Sequence, residues 1–152
     1  MKIKLTFNFI FSLLVLAALS LPISGMVCTA NAEDDVKVIG NNDVPDKELS
    51  RMDIQQIFLG KKTRWSDNKK ITIVTSKNED LNEKFLTKFV GKTPSQFRNY
   101  WKNLVFTGKG KEPIAFSNDK ALIEHIVSNE GSIGYVSSES SPDGVTLIII
   151  SN

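Results

Sequence analysis

The chain has 152 residues, 41% hydrophobic and 24% charged, with 19 Lys and Arg against 17 Asp and Glu. One Cys and one His exclude a disulfide framework and a zinc cluster of Cys and His. The near balance of charge gives no global reason to expect nucleic acid as a partner.

Lys2 and Lys4 precede an apolar run from Leu5 to about Leu21. Pro22 and Gly25 break that run, and Ala30-Asn31-Ala32 offers an A-x-A site, the pattern of an export signal cleaved after Ala32. The run is short for a membrane span, and a retained anchor is the alternative. Cys28 lacks the Leu that a lipidation site favours three positions upstream. Cleavage takes two lysines and the only Cys, leaving 17 basic against 17 acidic residues over 33–152. That length suits one small domain, stabilised by core burial alone.

Val36, Val38 and Ile39 predict a short strand running into Gly40-Asn41-Asn42. Such a loop can make a plain turn, or it can present amides and backbone N–H groups to a ligand. Ser50 and Asp53 form a helix-start signal, Ile54, Ile57 and Phe58 share one helical face, and Gly60 is the stop. Lys61, Lys62, Arg64, Lys69 and Lys70 crowd the next loop with only Asp67 opposing them. They read as a solvated loop, or as a patch that steers an anion or docks an acidic surface. Trp65 is expected to pack on the domain and hold that loop. Ser66-Asp67-Asn68 turns into a strand over Ile71 to Val74.

Polar residues Thr75 to Asp80 follow, then a helix carrying Leu81, Phe85, Leu86, Phe89 and Val90 and ended by Gly91. Thr93-Pro94-Ser95-Gln96 opens another helix with a capping box and Pro at its first position. Its apolar stripe is Phe97, Tyr100, Trp101, Leu104 and Val105. Gly108-Lys109-Gly110-Lys111 lacks the spacing and the hydroxyl of a phosphate loop and reads as a turn. Ile114 to Phe116 predicts a strand, and Ser117 caps a helix with Leu122, Ile123, Ile126 and Val127. Ile133 to Val136 and Val145 to Ile150 predict two more strands, the last apolar enough to be covered on both faces. Strands alternate with helices, so the expected class is α/β, a three-layer single lobe with a mostly parallel sheet.

Three blocks carry a family resemblance: IFLGKKTRWSDNKKITIV (57–74), SQFRNYWKNLVFTGKGKEP (95–113) and SNDKALIEHIVSNEGSIGYV (117–136). In the same order they resemble segments of phosphate-type periplasmic substrate-binding proteins of ABC transporters. The resemblance implies a type II periplasmic binding-protein lobe and an exported, non-catalytic solute-binding role, periplasmic or secreted, without a cofactor. It implies a small solute as ligand, an inorganic anion included, and an ABC transporter permease as partner; a self-associated dimer, through the face a second lobe would cover, is the other partner expected. With it, the polar strand ends nominate Asn41, Asn42, Thr75, Ser76 and Asn78 as ligand-binding residues, where the first two strands meet helix starts.

Two departures accompany the resemblance. Full-length members have two lobes and trap ligand between them, whereas this length holds about one. Phosphate binders also carry an Arg at the strand end and Ser-Gly-Thr at the helix start. Counting back from Phe85 puts Thr75 and Glu79-Asp80-Leu81 at those positions. A helix start already flanked by two carboxylates repels a dianion, which counts against phosphate binding in the family's manner. The alternative is a single-lobe structural or interaction protein that has lost the ligand site and binds a partner protein. An enzyme is not expected: His125 has no nucleophile-elbow partner in sequence, and Glu79 and Asp80 read as helix-start residues.

Overall fold

The structure, a computed structural model, describes residues 35–151; the expected export signal and its cleavage site lie outside them. In chain order come β1 (Val36–Gly40), β2 (Glu48–Ser50), α1 (Arg51–Phe58), β3 (Thr72–Ser76) and α2 (Glu79–Phe85). A π-helical segment (Leu86–Val90) continues α2, followed by α3 (Pro94–Phe106), β4 (Ile114–Phe116), α4 (Asp119–Ser128), β5 (Ser132–Ser137), β6 (Thr146–Leu147) and β7 (Ile149–Ser151).

The helix starts form where their capping residues stand. Ser50 accepts the Asp53 N–H while the Asp53 carboxylate accepts the Ser50 N–H, and Thr93 and Gln96 repeat that exchange at α3. Asn78 and Asn118 cap α2 and α4 through their side-chain oxygens. The α4 cap is therefore Asn118, one residue beyond the Ser117 that the sequence suggests. Gly60 and Gly91 leave their helices at positive φ, as the stop signals require.

The five-stranded sheet runs β4-β3-β5-β1-β6. β3 pairs parallel to β4 and β5, and β1 pairs antiparallel to β5 and β6, so four strands share one direction and β1 opposes them. The lobe is α/β in three layers, its sheet mostly parallel in strand direction. On one face, α1, α2 with its π segment, and α3 bury Ile54, Phe58, Phe85, Leu86 and Trp101 against Val38, Ile133 and Tyr135. On the other, α4 sets Leu122 and Ile126 against Ile39, Val74 and Val136. Alternation along β1 and β5 feeds the two cores. Phe85 stacks on Tyr135 with centroids 3.8 Å apart and meets Phe58 edge-on at 4.6 Å. Such aromatic pairs add about 0.5–1.5 kcal/mol each beyond their area. Gly134 lets α4 come close, since a Cβ there would lie 3.0 Å from Ile126 Cδ1 and 3.1 Å from the Val74 carbonyl oxygen.

The closing stretch departs from its expectation. Residues 146–147 pair with β1 at the sheet's edge, and the chain then crosses at Ile148 to pair β7 parallel with β2, a strand that the polar sequence around Glu48 does not announce. Being at an edge, the stretch is covered on one side only. Ile148 is buried, while Leu147 and Ile149 are 54% and 62% exposed. Val127 and Val105, each placed on a helix stripe by periodicity, are likewise exposed because their helices bury narrower faces.

Candidate functional site

The C-terminal end of β3 opens into a cavity of about 440 Å³ between α2, α3 and the approach to β4. Thr75 and Ser76 line it from β3, and Lys77, Glu79, Asn82 and Glu83 continue the wall along α2. Phe97, Arg98 and Trp101 enter from α3, and Glu112 and Pro113 close the far side. The volume falls in the range of small-molecule sites.

Much of the polar capacity at the strand end is already committed. The Thr75 hydroxyl donates to the Ile114 carbonyl at 3.4 Å, tying β3 to the edge strand. Ser76 Oγ accepts the Asn78 N–H at 3.1 Å, and Asn78 Oδ1 accepts the Leu81 N–H at 3.2 Å. The Ser76 N–H, which could face a ligand, donates instead to the Tyr135 hydroxyl at 3.3 Å. That hydroxyl donates in turn to Asn82 Oδ1 at 2.6 Å. Burial pushes the Tyr135 phenol far above its ordinary pKa, so it remains a neutral donor. What is left over is the hydroxyl proton of Ser76 and the amide N–H groups of Asn82 and, beside the cavity, of Asn78.

The charged lining is mixed. Lys77 and Arg98 stand against Glu79, Glu83 and Glu112, and among the described residues none of the five forms an ion pair. One carboxylate is in excess, so the cavity offers no net attraction to a dianion. Arg98 arrives from α3, nearly twenty residues beyond the helix start. No local signal in the sequence points to it, because only the packing of α3 beside α2 brings it there.

The five residues nominated from sequence do not converge, which corrects the expected meeting of the first two strand ends. Because β1 runs against β3, Gly40 lies level with Ile133 and Ile73, and Asn41 bonds the Ser132 carbonyl at the opposite end of the sheet. Along the strand axis alone the offset from Ser76 is about 13 Å, four residues at about 3.3 Å each. Asn41 Nδ2 donates to the Ile126 and Val127 carbonyls at 2.7 and 3.0 Å, and its Oδ1 accepts the Asp43 N–H. It thereby caps last-turn carbonyls of α4, that of Ile126 also accepting the Asn129 N–H. Asn42 donates to the Gly144 carbonyl and accepts from Thr146 Oγ1. Both amides hold the fold together at that end; Thr75 and Ser76 line the cavity, and Asn78 flanks it.

The basic loop is less bare than its sequence suggests. Lys62 pairs with Asp53 at 2.9 Å and Lys69 with Asp43 at 3.0 Å, and Arg64 donates to the Asn68 carbonyl. Hydrogen bonds from the Ser50 hydroxyl and Lys62 hold Asp53 below the usual carboxylate range. Burial works to raise Asp43, but the Gly131 N–H and Lys69 outweigh it and lower its pKa. Trp65 is buried and donates to the Gly131 carbonyl at 3.0 Å, anchoring the loop as its sequence predicts. His125 meets Asn129 and the Phe116 ring, and among the described residues neither a serine nor a carboxylate is bonded to it. Among the described residues no group of His, Cys, Asp and Glu could hold a metal ion, and no helix is long and apolar enough to cross a membrane.

The fold is a three-layer α/β lobe with a polar cavity at the C-terminal end of a parallel strand. The chain belongs to the PBP superfamily domain family, whose model matches residues 24–147. In fold it is similar to a putative phosphate ABC transporter substrate-binding protein with bound phosphate from Clostridium perfringens (TM-score 0.60, 19% identity, 77% of this chain and 45% of that one). It is also similar to a phosphate-binding protein from Stenotrophomonas maltophilia (TM-score 0.60, 20% identity, 78% and 39%). PstS from Borrelia burgdorferi is a third (TM-score 0.59, 13% identity, 78% and 48%). The chain spans less than half the length of each of these proteins. No curated protein sequence is significantly similar to it.

Proposed function

We propose that the protein is an exported, non-catalytic solute-binding protein of the ABC transporter type, working in the periplasm or outside the cell, and that the cavity at the end of β3 is its ligand site. The observation that carries this reading is the cavity itself, lined by Ser76, Asn82, Lys77 and Arg98 at a strand end of a binding-protein lobe. The mixed lining favours a small solute that offers a cationic group to Glu79, Glu83 and Glu112 as well as an anionic group to Lys77 and Arg98. Phosphate, which the solved relatives' names carry, meets an excess carboxylate here and lacks an arginine at Thr75.

A thermal-shift titration of residues 33–152 with phosphate, sulfate and a panel of zwitterionic and neutral solutes tests this. Binding to the native state alone raises the melting temperature once ligand exceeds Kd. A saturable shift with a zwitterion, lost in Ser76→Ala and Arg98→Ala, is the expected result. Unchanged affinity in both variants would remove the site, and a phosphate shift would overturn the charge argument.

A second reading is favoured by the exposed Leu147 of β6, at the edge of the five-stranded sheet, and Ile149 of β7 beside it. An exposed apolar edge strand is a template for association. It supports the single lobe as an interaction protein or dimer, and a strictly monomeric protein by sedimentation would count against the dimer.

A further inference from the structure

A second concavity lies on the other side of Glu112 and Pro113 from the cavity described above. Its volume is about 560 Å³, and four chain segments border it: residues 60–63 after α1, the start of β3 at 70–73, Trp101 and Leu104 of α3, and residues 108–114. The floor is apolar, with Leu104, Ile71 and Ile73 beside the buried Trp101, and Ile114 stands at its margin 43% exposed. Gly60 and Gly110 admit the indole, since a Cβ at either would lie 2.8 or 3.1 Å from it.

The border carries Lys62, Lys70, Lys109 and Lys111 against the single carboxylate of Glu112. Lys62 is paired with Asp53; the other three lysines form no ion pair among the described residues. The bias extends along the chain: between Glu83 and Glu112 there are seven basic residues and no acidic one. At the same end of α3, Phe106 is 93% exposed. The sheet edge is also incomplete here. β4 pairs only with Val74–Ser76, so Thr72 and Ile73, held by β5 on one side, have no strand laid beside them on the β4 side among the described residues, and both border the groove.

We propose that this groove docks an extended acidic segment of a partner protein, with an apolar side chain seated over Leu104 and Ile114 and carboxylates meeting Lys70, Lys109 and Lys111. The inference stands apart from the solute site, and the three lysines do not line that cavity. The lysines come from two segments, Lys70 ahead of β3 and Lys109 and Lys111 from residues 108–114, and share the groove's lining with the apolar Ile71, Ile73, Leu104 and Ile114. A chain with carboxylates spaced along it meets that distribution, and a sheet edge suits an extended backbone. A planar bilayer surface cannot fill a concavity.

The test is selection of a random heptapeptide library on the immobilised protein, counter-selected on K70E/K109E/K111E. Recovered peptides should carry two or more Asp or Glu with an apolar residue between them. Their Kd should weaken about tenfold or more in the triple variant and rise with salt over the range in which the Debye length shortens. Unchanged melting temperature shows that the triple variant folds, and K70Q/K109Q/K111Q with an intermediate loss separates neutralisation from repulsion. Peptides without acidic residues, peptides that bind the reversed variant equally, or no groove-dependent peptide would each overturn the proposal. So would lysine-dependent binding to vesicles containing phosphatidylglycerol in the absence of peptide binding, which would assign the patch to a membrane surface.

Discussion

Asn41→Ala separates a structural amide from a ligand-binding one. The side chain is 7% exposed and makes three hydrogen bonds, two of them to the carbonyls that end α4. A hydrogen bond contributes about 1 kcal/mol net, and a partner left buried and unpaired costs about 1–3 kcal/mol. Removing all three should therefore destabilise the lobe by about 3 kcal/mol. At roughly 4 °C per kcal/mol for a domain of this size, the melting temperature should fall by about 12 °C. Asn41→Asp sharpens the test. It keeps the acceptor for the Asp43 N–H but turns oxygen towards two carbonyl oxygens, so it should cost at least as much as alanine. Urea unfolding followed by far-ultraviolet circular dichroism measures both, with an unchanged slope confirming that only stability moved. Solute affinity per folded molecule should be unaffected. A loss below about 0.5 kcal/mol together with weakened solute binding would refute the structural assignment and return Asn41 to the ligand.

Three further outcomes follow from the same geometry. Gly108 and Gly131 share a φ near +68° to +69°, but a Cβ at Gly108 meets nothing within 4 Å while one at Gly131 collides with the Lys70 carbonyl oxygen. Gly108→Ala should cost about 1 kcal/mol for the backbone alone, and Gly131→Ala at least about 2 kcal/mol more, by chemical denaturation; equal losses would refute the steric argument. Of the two tyrosines, Tyr135 should stay protonated where a free phenol, with a pKa of about 10, is largely ionised. Alkaline spectrophotometric titration with Tyr100→Phe isolates it, and ionisation near pH 10 before unfolding would contradict its burial. Asp53 has a folded pKa below the ordinary carboxylate value of 3.8, so its contribution is present above that value and is lost as pH falls through the folded one. Stability of the wild type should drop more steeply than that of Asp53→Asn between about pH 5 and pH 2, and parallel curves would show that the Ser50 and Lys62 bonds add nothing.

Local order was legible in the sequence because its causes are local. Ser50 with Asp53 and Thr93 with Gln96 cap the helices that their spacing announces, and Gly60 and Gly91 end them by reaching positive φ. Trp65, a large apolar group in a charged loop, could satisfy both its ring and its N–H only by burial against a carbonyl, and it does so at Gly131. Alternation of strands and helices likewise dictates layers, since each element has one apolar face to cover. Strand direction was not legible. Val36 to Gly40 reads the same whether it runs with β3 or against it, and pairing with β5 decides the matter through contacts about a hundred residues apart. That reversal sends Asn41 and Asn42, two of the five nominated residues, to the far end of the sheet from the cavity. Charge behaved similarly. Asp43 and Asp53 pair with two of the five cations of a loop whose own sequence contains only Asp67, and Arg98 reaches the cavity only because α3 packs beside α2. Propensity, capping and hydrophobic period act over a few residues and belong to the sequence alone. The composition of a site depends on which distant segments share a volume, and tertiary packing alone decides that.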